Sequence, residues 1–267
     1  MNSAVNRDRL LELAVALARV AGDTARDTRS EVLTSIETKS SPTDLVTKAD
    51  AAAEQIIVDG IRSERPHDAI VGEEGTNRGG TTGITWHVDP IDGTTNFVYD
   101  IPAWSVSIAV ASADHTEVGV VYNPVNNELY TAIRGGGAFL NGRRVEVNDQ
   151  ADLALSLIGT GFSPHSGVRR VQAGVATSVL PRIRDYRRFG SAALDLCAVA
   201  CGRIDGFYET GLNIWDYAAG KLMVEEAGGT CRLLPPNDHH GAWLVAAPPQ
   251  LVDPLQDLVE KALGELG

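Results

Sequence analysis

The segment Asp89-Pro90-Ile91-Asp92-Gly93-Thr94-Thr95-Asn96-Phe97 restricts this chain more than any other stretch. The apolar run before it makes Asp89 the end of a strand. Pro90 fixes a turn, so Asp89 and Asp92 can converge where plain strand alternation would send them to opposite faces. Gly93 permits close backbone approach. Thr94 and Thr95 read as the first turn of a helix, whose free N–H groups attract anions. Two carboxylates beside a helix N-terminus can hold a divalent cation and a phosphate together, with the acids as hard oxygen ligands. The same residues also read as an Asx-turn followed by a helix cap, and for an isolated D-x-x-D that plainer reading is the commoner one.

Two further segments carry acids to element ends. Gly72-Glu73-Glu74-Gly75 closes a short apolar strand over residues 69–72, and Trp215-Asp216 opens an Ala-rich helix. Taken singly, the first is a solvated strand end and the second a helix cap. Charge matters here: 35 Asp and Glu against 23 Lys and Arg leave the 267 residues at a formal net charge of -12. So acidic a surface repels phosphate backbones, which argues against nucleic-acid binding. It also means that an enzyme acting on phosphates would need metal ions to join like charges. No apolar run is long enough to span a membrane, and the N-terminus has no signal-peptide core, so a cytoplasmic protein is expected. Cys197, Cys201 and Cys231 are an odd set without zinc-ligand spacing. They fit a reducing compartment.

Along the chain, Leu10, Leu13, Leu17 and Val20, with Leu11, Ala14, Ala18 and Ala21 beside them, predict an amphipathic helix running on through Val32 and Ile36. A second helix starts at Thr47 and buries Ile56, Ile57 and Ile61. Strand texture follows from residue 85 to 140, and Asn141-Gly142 marks a hairpin turn. Beyond residue 150 the pattern alternates: strands over 155–158, 186–189, 206–209 and 243–246, helices over 168–180, 192–201, 216–227 and 249–263. The expectation is an α+β half, residues 1–150, that carries the acidic motifs, and an α/β half, 151–267, that completes a site in the crevice between them.

With Lys39-Ser40-Ser41-Pro42, Asp44-Leu45-Val46-Thr47 and Gly190-Ser191-Ala192-Ala193 added in order, the chain resembles the inositol monophosphatase family of metal-dependent phosphomonoesterases, especially its bacterial members. Seven fixed residues in the Asp89 segment alone would recur by chance about once in 10⁹ positions at average residue usage. The resemblance implies a layered α-β-α-β-α sandwich of the sugar phosphatase type and two or three Mg²⁺ per subunit. It implies that Glu73, Asp89 and the Ile91 carbonyl hold one ion, and that Asp89, Asp92 and Asp216 hold another. A weaker third position lies near Glu73, Asp44 and Asp50. Asp50, paired with Thr94, becomes the base for a metal-activated water, with Glu74 as the alternative base. Thr47-x-x-Asp50 is equally a capping box. Asp92, Gly93, Thr94, Thr95, Gly190, Ser191, Ala192 and Glu209 become substrate contacts, Glu209 as acceptor for a ring hydroxyl. Ser163 is a further contact, and Ser191 reads equally well as a helix N-cap.

The implied reaction is hydrolysis of inositol monophosphate to myo-inositol and phosphate, inhibited by Li⁺, in a homodimer whose partner is a small phosphorylated polyol. Histidinol phosphate and sugar bisphosphates are alternative substrates of the same chemistry. A regulatory protein that keeps the fold is the alternative of another class, and lost carboxylates or a basic patch would mark it. Arg187 and Arg188 read as a solvated strand end, with one of them bordering the site or the subunit interface as the alternative, and Trp104, Trp215 and Trp243 as core or interface residues.

Overall fold

Apolar residues at helical spacing build α1 (Arg7–Val32), whose buried line is Leu10, Ala14, Leu17, Ala18, Ala21 and Ala25. That line centres between Leu17 and Ala21, so Val20, expected on it, is rotated off and 55% exposed. The helix stops short of Ile36, which instead begins β1 (Ile36–Thr38), antiparallel to β2 (Leu45–Thr47). The structure, a computed structural model, describes residues 6–32, 36–38, 45–113, 115–236 and 241–266. The segment 39–42 and Asp44 lie outside the described residues, and with Asp44 one of the three acids named for the third metal position. Helix α2 (Lys48–Glu64) buries Ile57 and Ile61 as expected and Ile56 only in part. It also buries two acids on one face, Asp50 and Glu54, four residues apart.

There follow β3 (Ala69–Gly72), β4 (Asn77–Arg78), β5 (Ile84–Asp92), the short α3 (Thr94–Tyr99), β6 (Ser105–Ser112), β7 (His115–Asn123), β8 (Glu128–Ile133), β9 (Gly137–Leu140) and β10 (Arg143–Val145). Eight of these strands form one sheet in the order β10-β9-β8-β7-β6-β5-β3-β4, antiparallel except for the parallel pair β3/β5. Asn141 at φ 50° and Gly142 at φ 75° make the hairpin turn between β9 and β10.

The second sheet begins with β11 (Leu157–Thr160), later than expected because residues Leu153–Leu155 form a 3₁₀ turn capped by Asp152. After it come α4 (Ser166–Val179), β12 (Asp185–Arg187), α5 (Ala192–Ala200), β13 (Gly206–Thr210), α6 (Ile214–Glu226), β14 (Thr230–Leu234), β15 (Trp243–Ala247) and α7 (Pro249–Gly264). The strand order is β12-β11-β13-β15-β14, with the first three parallel and the last two antiparallel. This half is therefore mixed, and β14 had no counterpart among the expected strands. Helices α1 and α2 cover one face of the large sheet, and α5 and α6 pack between the two sheets. Helices α4 and α7 close the outer face of the small one. The result is the expected α-β-α-β-α sandwich, with the end of β5 and the N-termini of α5 and α6 meeting at one edge.

Candidate active site

Strand β5 pairs with β6 as Val88 with Ile108, Asp89 with Ser107 and then Asp92 with Ser105. Between the last two pairs β5 advances three residues and β6 two, so β5 carries one extra residue, a bulge. In a regular strand residues 89 and 92 have opposite parity and point to opposite faces. The bulge cancels that difference and turns both carboxylates to one side. Pro90 is tolerated because the β3 ladder has ended, at Gly72 opposite Val88, and the β6 ladder is interrupted at this point. The Asx-turn is present as well: the Ile91 N–H donates to Asp89 Oδ1 at 3.0 Å. The strand does not finish at Asp89, because pairing resumes at Asp92.

Gly93, at φ 95°, is forced to be glycine twice over. Its backbone is left-handed, and a Cβ there would sit 3.0 Å from the Gly190 carbonyl and 3.1 Å from that of Ala103. Helix α3 is anchored from both sides. Arg29 donates to the Phe97 and Val98 carbonyls at 2.6 and 2.9 Å, and Asn96 Nδ2 donates to Ala103 and Phe189 carbonyls at 2.6 Å each. Beneath it Phe97 packs edge-on against Trp104, with ring centroids 5.1 Å apart, in a small core with Ile91. Trp104 and Trp243 are core residues as expected.

Glu73, Asp89, Asp92 and Asp216 converge, with Ile91, Gly93, Thr94, Gly190, Ala192 and Glu209, on a cavity of about 420 Å³. Asp89 is 2% exposed and stands against Glu73. Burial first, then the like charges of Glu73, Asp92 and Asp216, push its carboxyl well above the usual range. Asp216 is raised by burial and then by Asp92. Both readings of Asp216 hold together: its Oδ2 accepts the Asn213 N–H at 2.6 Å as a helix cap while the side chain walls the cavity. Asp92 is pushed up to about 6 by burial, held down in part by Ser191 and the Ala193 N–H. Among the described residues no three His, Cys, Asp or Glu side chains lie arranged to hold an ion without moving. The donors are all oxygen and border open space, which suits Mg²⁺, an ion that keeps several waters, better than a thiolate–imidazole zinc site.

Thr94 Oγ1 lies 3.2 Å from Asp50 Oδ1 and 3.1 Å from the Ile91 carbonyl, so its one hydroxyl hydrogen serves two acceptors. Asp50 is fully buried behind Thr94. Glu74 lies outside the walls of this cavity and of its neighbour. The turn that carries Glu73 and Glu74 is held from below by Glu54, which accepts the N–H groups of Glu74 and Thr76 at 2.8 and 3.2 Å. Sequence reasoning passed over Glu54. Its signal was the four-residue spacing from Asp50 on one helix face.

Ser191 caps α5 by accepting the Leu194 N–H at 3.2 Å, and its hydroxyl donates to Asp92 Oδ2 at 2.6 Å. The Ala193 N–H adds a second bond to that oxygen at 2.7 Å. Ser191 therefore stands behind Asp92 and not in the cavity wall. A second cavity of about 610 Å³ adjoins the first and is lined by Thr95, Ser163, Arg169 and Arg188 among others. Arg188, read from sequence as a solvated strand end, borders both cavities. Only Arg187 is committed elsewhere, to Asp185 at 2.8 Å. Trp215 likewise lines the acidic cavity and is not core, because the bend at Asn213 that starts α6 turns it there.

The model of the inositol monophosphatase family matches residues 6–257. A protein named Nus factor SuhB from Pasteurella multocida is 41% identical, over 96% of this chain and 97% of that protein. An inositol-1-monophosphatase from Mycobacterium bovis is 39% identical, over 96% of this chain and 95% of that one. Among solved structures, the Thermotoga maritima IMPase superposes with a TM-score of 0.87 at 33% identity, covering 97% of this chain and all of that one. The extragenic suppressor protein suhB of Bartonella henselae gives 0.84 at 36%, covering 96% and 98%.

Proposed function

The chain belongs to the inositol monophosphatase family, and on that premise we propose that it is a Mg²⁺-dependent phosphomonoesterase that hydrolyses inositol monophosphate to myo-inositol and phosphate. The observation that carries this reading is the convergence of Glu73, Asp89, Asp92 and Asp216 on one cavity, where the leading charges acting on Asp89 are all of its own sign. Glu73, Asp89 and the Ile91 carbonyl would hold one ion, and Asp89, Asp92 and Asp216 a second. Bound there, the ions supply the positive charge that admits a phosphate to an acidic crevice, and they make a water acidic enough to attack.

The chain's own groups do the rest. Thr94 and buried Asp50 form the relay that accepts the water's proton, and their hydrogen bond supports them over Glu74 as the base. Gly93, Thr94 and Thr95 present backbone N–H groups beside the acids, where a phosphate oxygen would lie. Ser191 and the α5 N-terminus fix Asp92 in place. Glu209, at the far wall with Gly190 and Ala192, accepts a hydroxyl of the polyol. The two halves, 1–150 and 151–267, each supply part of this set. The reading includes a cytoplasmic homodimer. Three unpaired thiols among the described residues support the reducing compartment, no described helix is long and apolar enough to cross a membrane, and exposed Tyr99, Ile101 and Val125 offer apolar surface to a second copy.

Phosphate release with Mg²⁺ from inositol 1-phosphate and from histidinol phosphate, each with and without Li⁺, tests the reading. Preference for the inositol ester, lost with Li⁺, is the expected result. Preference for histidinol phosphate would keep the metal chemistry and overturn the role given to Glu209. The name Nus factor carried by similar proteins favours a second reading, a regulatory factor that keeps the fold. Release from neither substrate would favour it.

A further inference from the structure

Asp195, in the first turn of α5, is a carboxylate that the reading above does not use. It is 1% exposed, its Oδ1 has no hydrogen-bond partner, and the Gly190 N–H is near enough to ease its charge. An acid in a first helical turn is ordinary on a surface, where the helix dipole favours it. Buried with an orphan oxygen, it costs stability and calls for another explanation.

Two glycines make the room it occupies. A Cβ at Gly159 would lie 3.1 Å from Asp195 Oδ1, and a Cβ at Gly161 would lie 2.1 Å from Glu209 Oε2. Residues 159 and 161, two apart at the end of β11, share one side of the strand. That side is bare where it meets the two carboxylates. Arg188 completes the arrangement. Its guanidinium folds over Gly190, into the space a Cβ there would fill, and its charge acts on both Asp195 and Glu209. Among the described residues Arg188 stands within ion-pair distance of neither, so it is shared between them and not locked to one.

We propose that Asp195 is a positioning residue for substrate selection: with Arg188 it holds the Gly190 turn and the Glu209 carboxylate in the places from which they recognise the hydroxyls of a polyol phosphate. Among the acids it feels Glu209 first and Asp92 after it, so its effect falls chiefly on the alcohol side of the ester. The proposal rests on the reading of Glu209 as hydroxyl acceptor.

The test compares wild type, Asp195→Asn and Arg188→Ala on two esters, inositol 1-phosphate and p-nitrophenyl phosphate, which has no polyol hydroxyls. Binding of inositol 1-phosphate with Mg²⁺ is followed in parallel by calorimetry. Both variants are expected to raise KM and Kd for inositol 1-phosphate about tenfold, with kcat and all constants for p-nitrophenyl phosphate within about twofold. Equal losses on both esters would make Asp195 purely structural, and no change on either would remove it from the site. Both outcomes overturn the proposal. Arg188→Ala alters an exposed side chain, so it decides the matter if Asp195→Asn folds poorly. A wild type that turns over p-nitrophenyl phosphate and neither binds nor hydrolyses inositol 1-phosphate would instead sink the reading of Glu209, and this proposal with it.

Discussion

Ser191 Oγ donates to Asp92 Oδ2 at 2.6 Å, joining the start of α5 to the end of β5 across the seam between the two sheets. The Ala193 N–H shares the same oxygen, so Asp92 is aimed before any ligand arrives. Asp92→Asn is expected to abolish turnover while circular dichroism and melting show an intact fold. Retained activity would remove Asp92 from the ligand set. Ser191→Ala takes away one of two bonds to the carboxylate and should lower kcat/KM about tenfold.

The Thr94 hydroxyl bridges Asp50 and the Ile91 carbonyl. If it relays a proton, Thr94→Val should lower kcat by about 10²-fold or more with KM changed little, and Thr94→Ser should restore most of the rate. Steady-state kinetics separates the two constants. A KM effect alone would make Thr94 a binding group.

Clustered carboxylates repel, each pair at ~4 Å by about 4 kcal/mol at an effective dielectric of about 20. Mg²⁺ is therefore expected to raise the melting temperature. At a hundred times its Kd it adds about 2.7 kcal/mol, which is several degrees for a domain of this size. No shift at millimolar Mg²⁺ would count against the shared site.

Without metal, the same acids fix how stability depends on pH. Asp92 is pushed up to about 6 and Glu209 to about 8, each chiefly by burial. A carboxylate whose affinity for protons is raised on folding keeps its proton in the fold where the unfolded chain has lost it. Stability therefore falls as pH rises from the unfolded value to the folded one. Calorimetry with chelator should show a melting temperature higher at pH 5 than at pH 8, and saturating Mg²⁺ should narrow the gap. Asp68 and Glu128 are shifted the other way, Asp68 through hydrogen bonds from Arg65, Thr82 and Trp86 that outweigh its burial, Glu128 chiefly through its bond with Arg203. Their contribution is lost only below the ordinary carboxylate range, and inside the window His87, held below its usual value by burial, alone among the described residues opposes the several raised acids.

Gly72 leaves space for the acid that supports the Glu73 turn: a Cβ there would lie 2.4 Å from Glu54 Oε2. Gly72→Ala is expected to cost about 1–3 kcal/mol through overpacking and to weaken Mg²⁺ binding, both visible in melts with and without metal. Unchanged metal affinity would separate Glu54 from the site.

The acidic motifs were legible because each sits where an apolar run stops, and Pro90 and Gly93 announce a break in strand geometry. Asp50 was reached through family likeness, since its partner Thr94 lies 44 positions away. Asp195 was not legible: what marks it is burial and an orphan oxygen, properties of packing that no local pattern carries. Glu54 offered only its four-residue spacing from Asp50, and which of Arg187 and Arg188 borders the site was decided by packing. Strand β14 was missed for a related reason. Thr-Cys-Arg-Leu-Leu shows no clean alternation, and as an edge strand it is only half buried.

The bonds that aim Asp92 come from residues 99 and 101 positions further along. On the ribosome, the large sheet can emerge and pair while this carboxylate still lacks the groups that point it, and Asp216 arrives later again. If the proposed acids hold the ion, its affinity arises only once residue 216 is in place, as a long-range contact formed after the local ones. A nascent chain stalled before residue 191 would carry the Asp89 motif complete in sequence and still be unable to grip an ion.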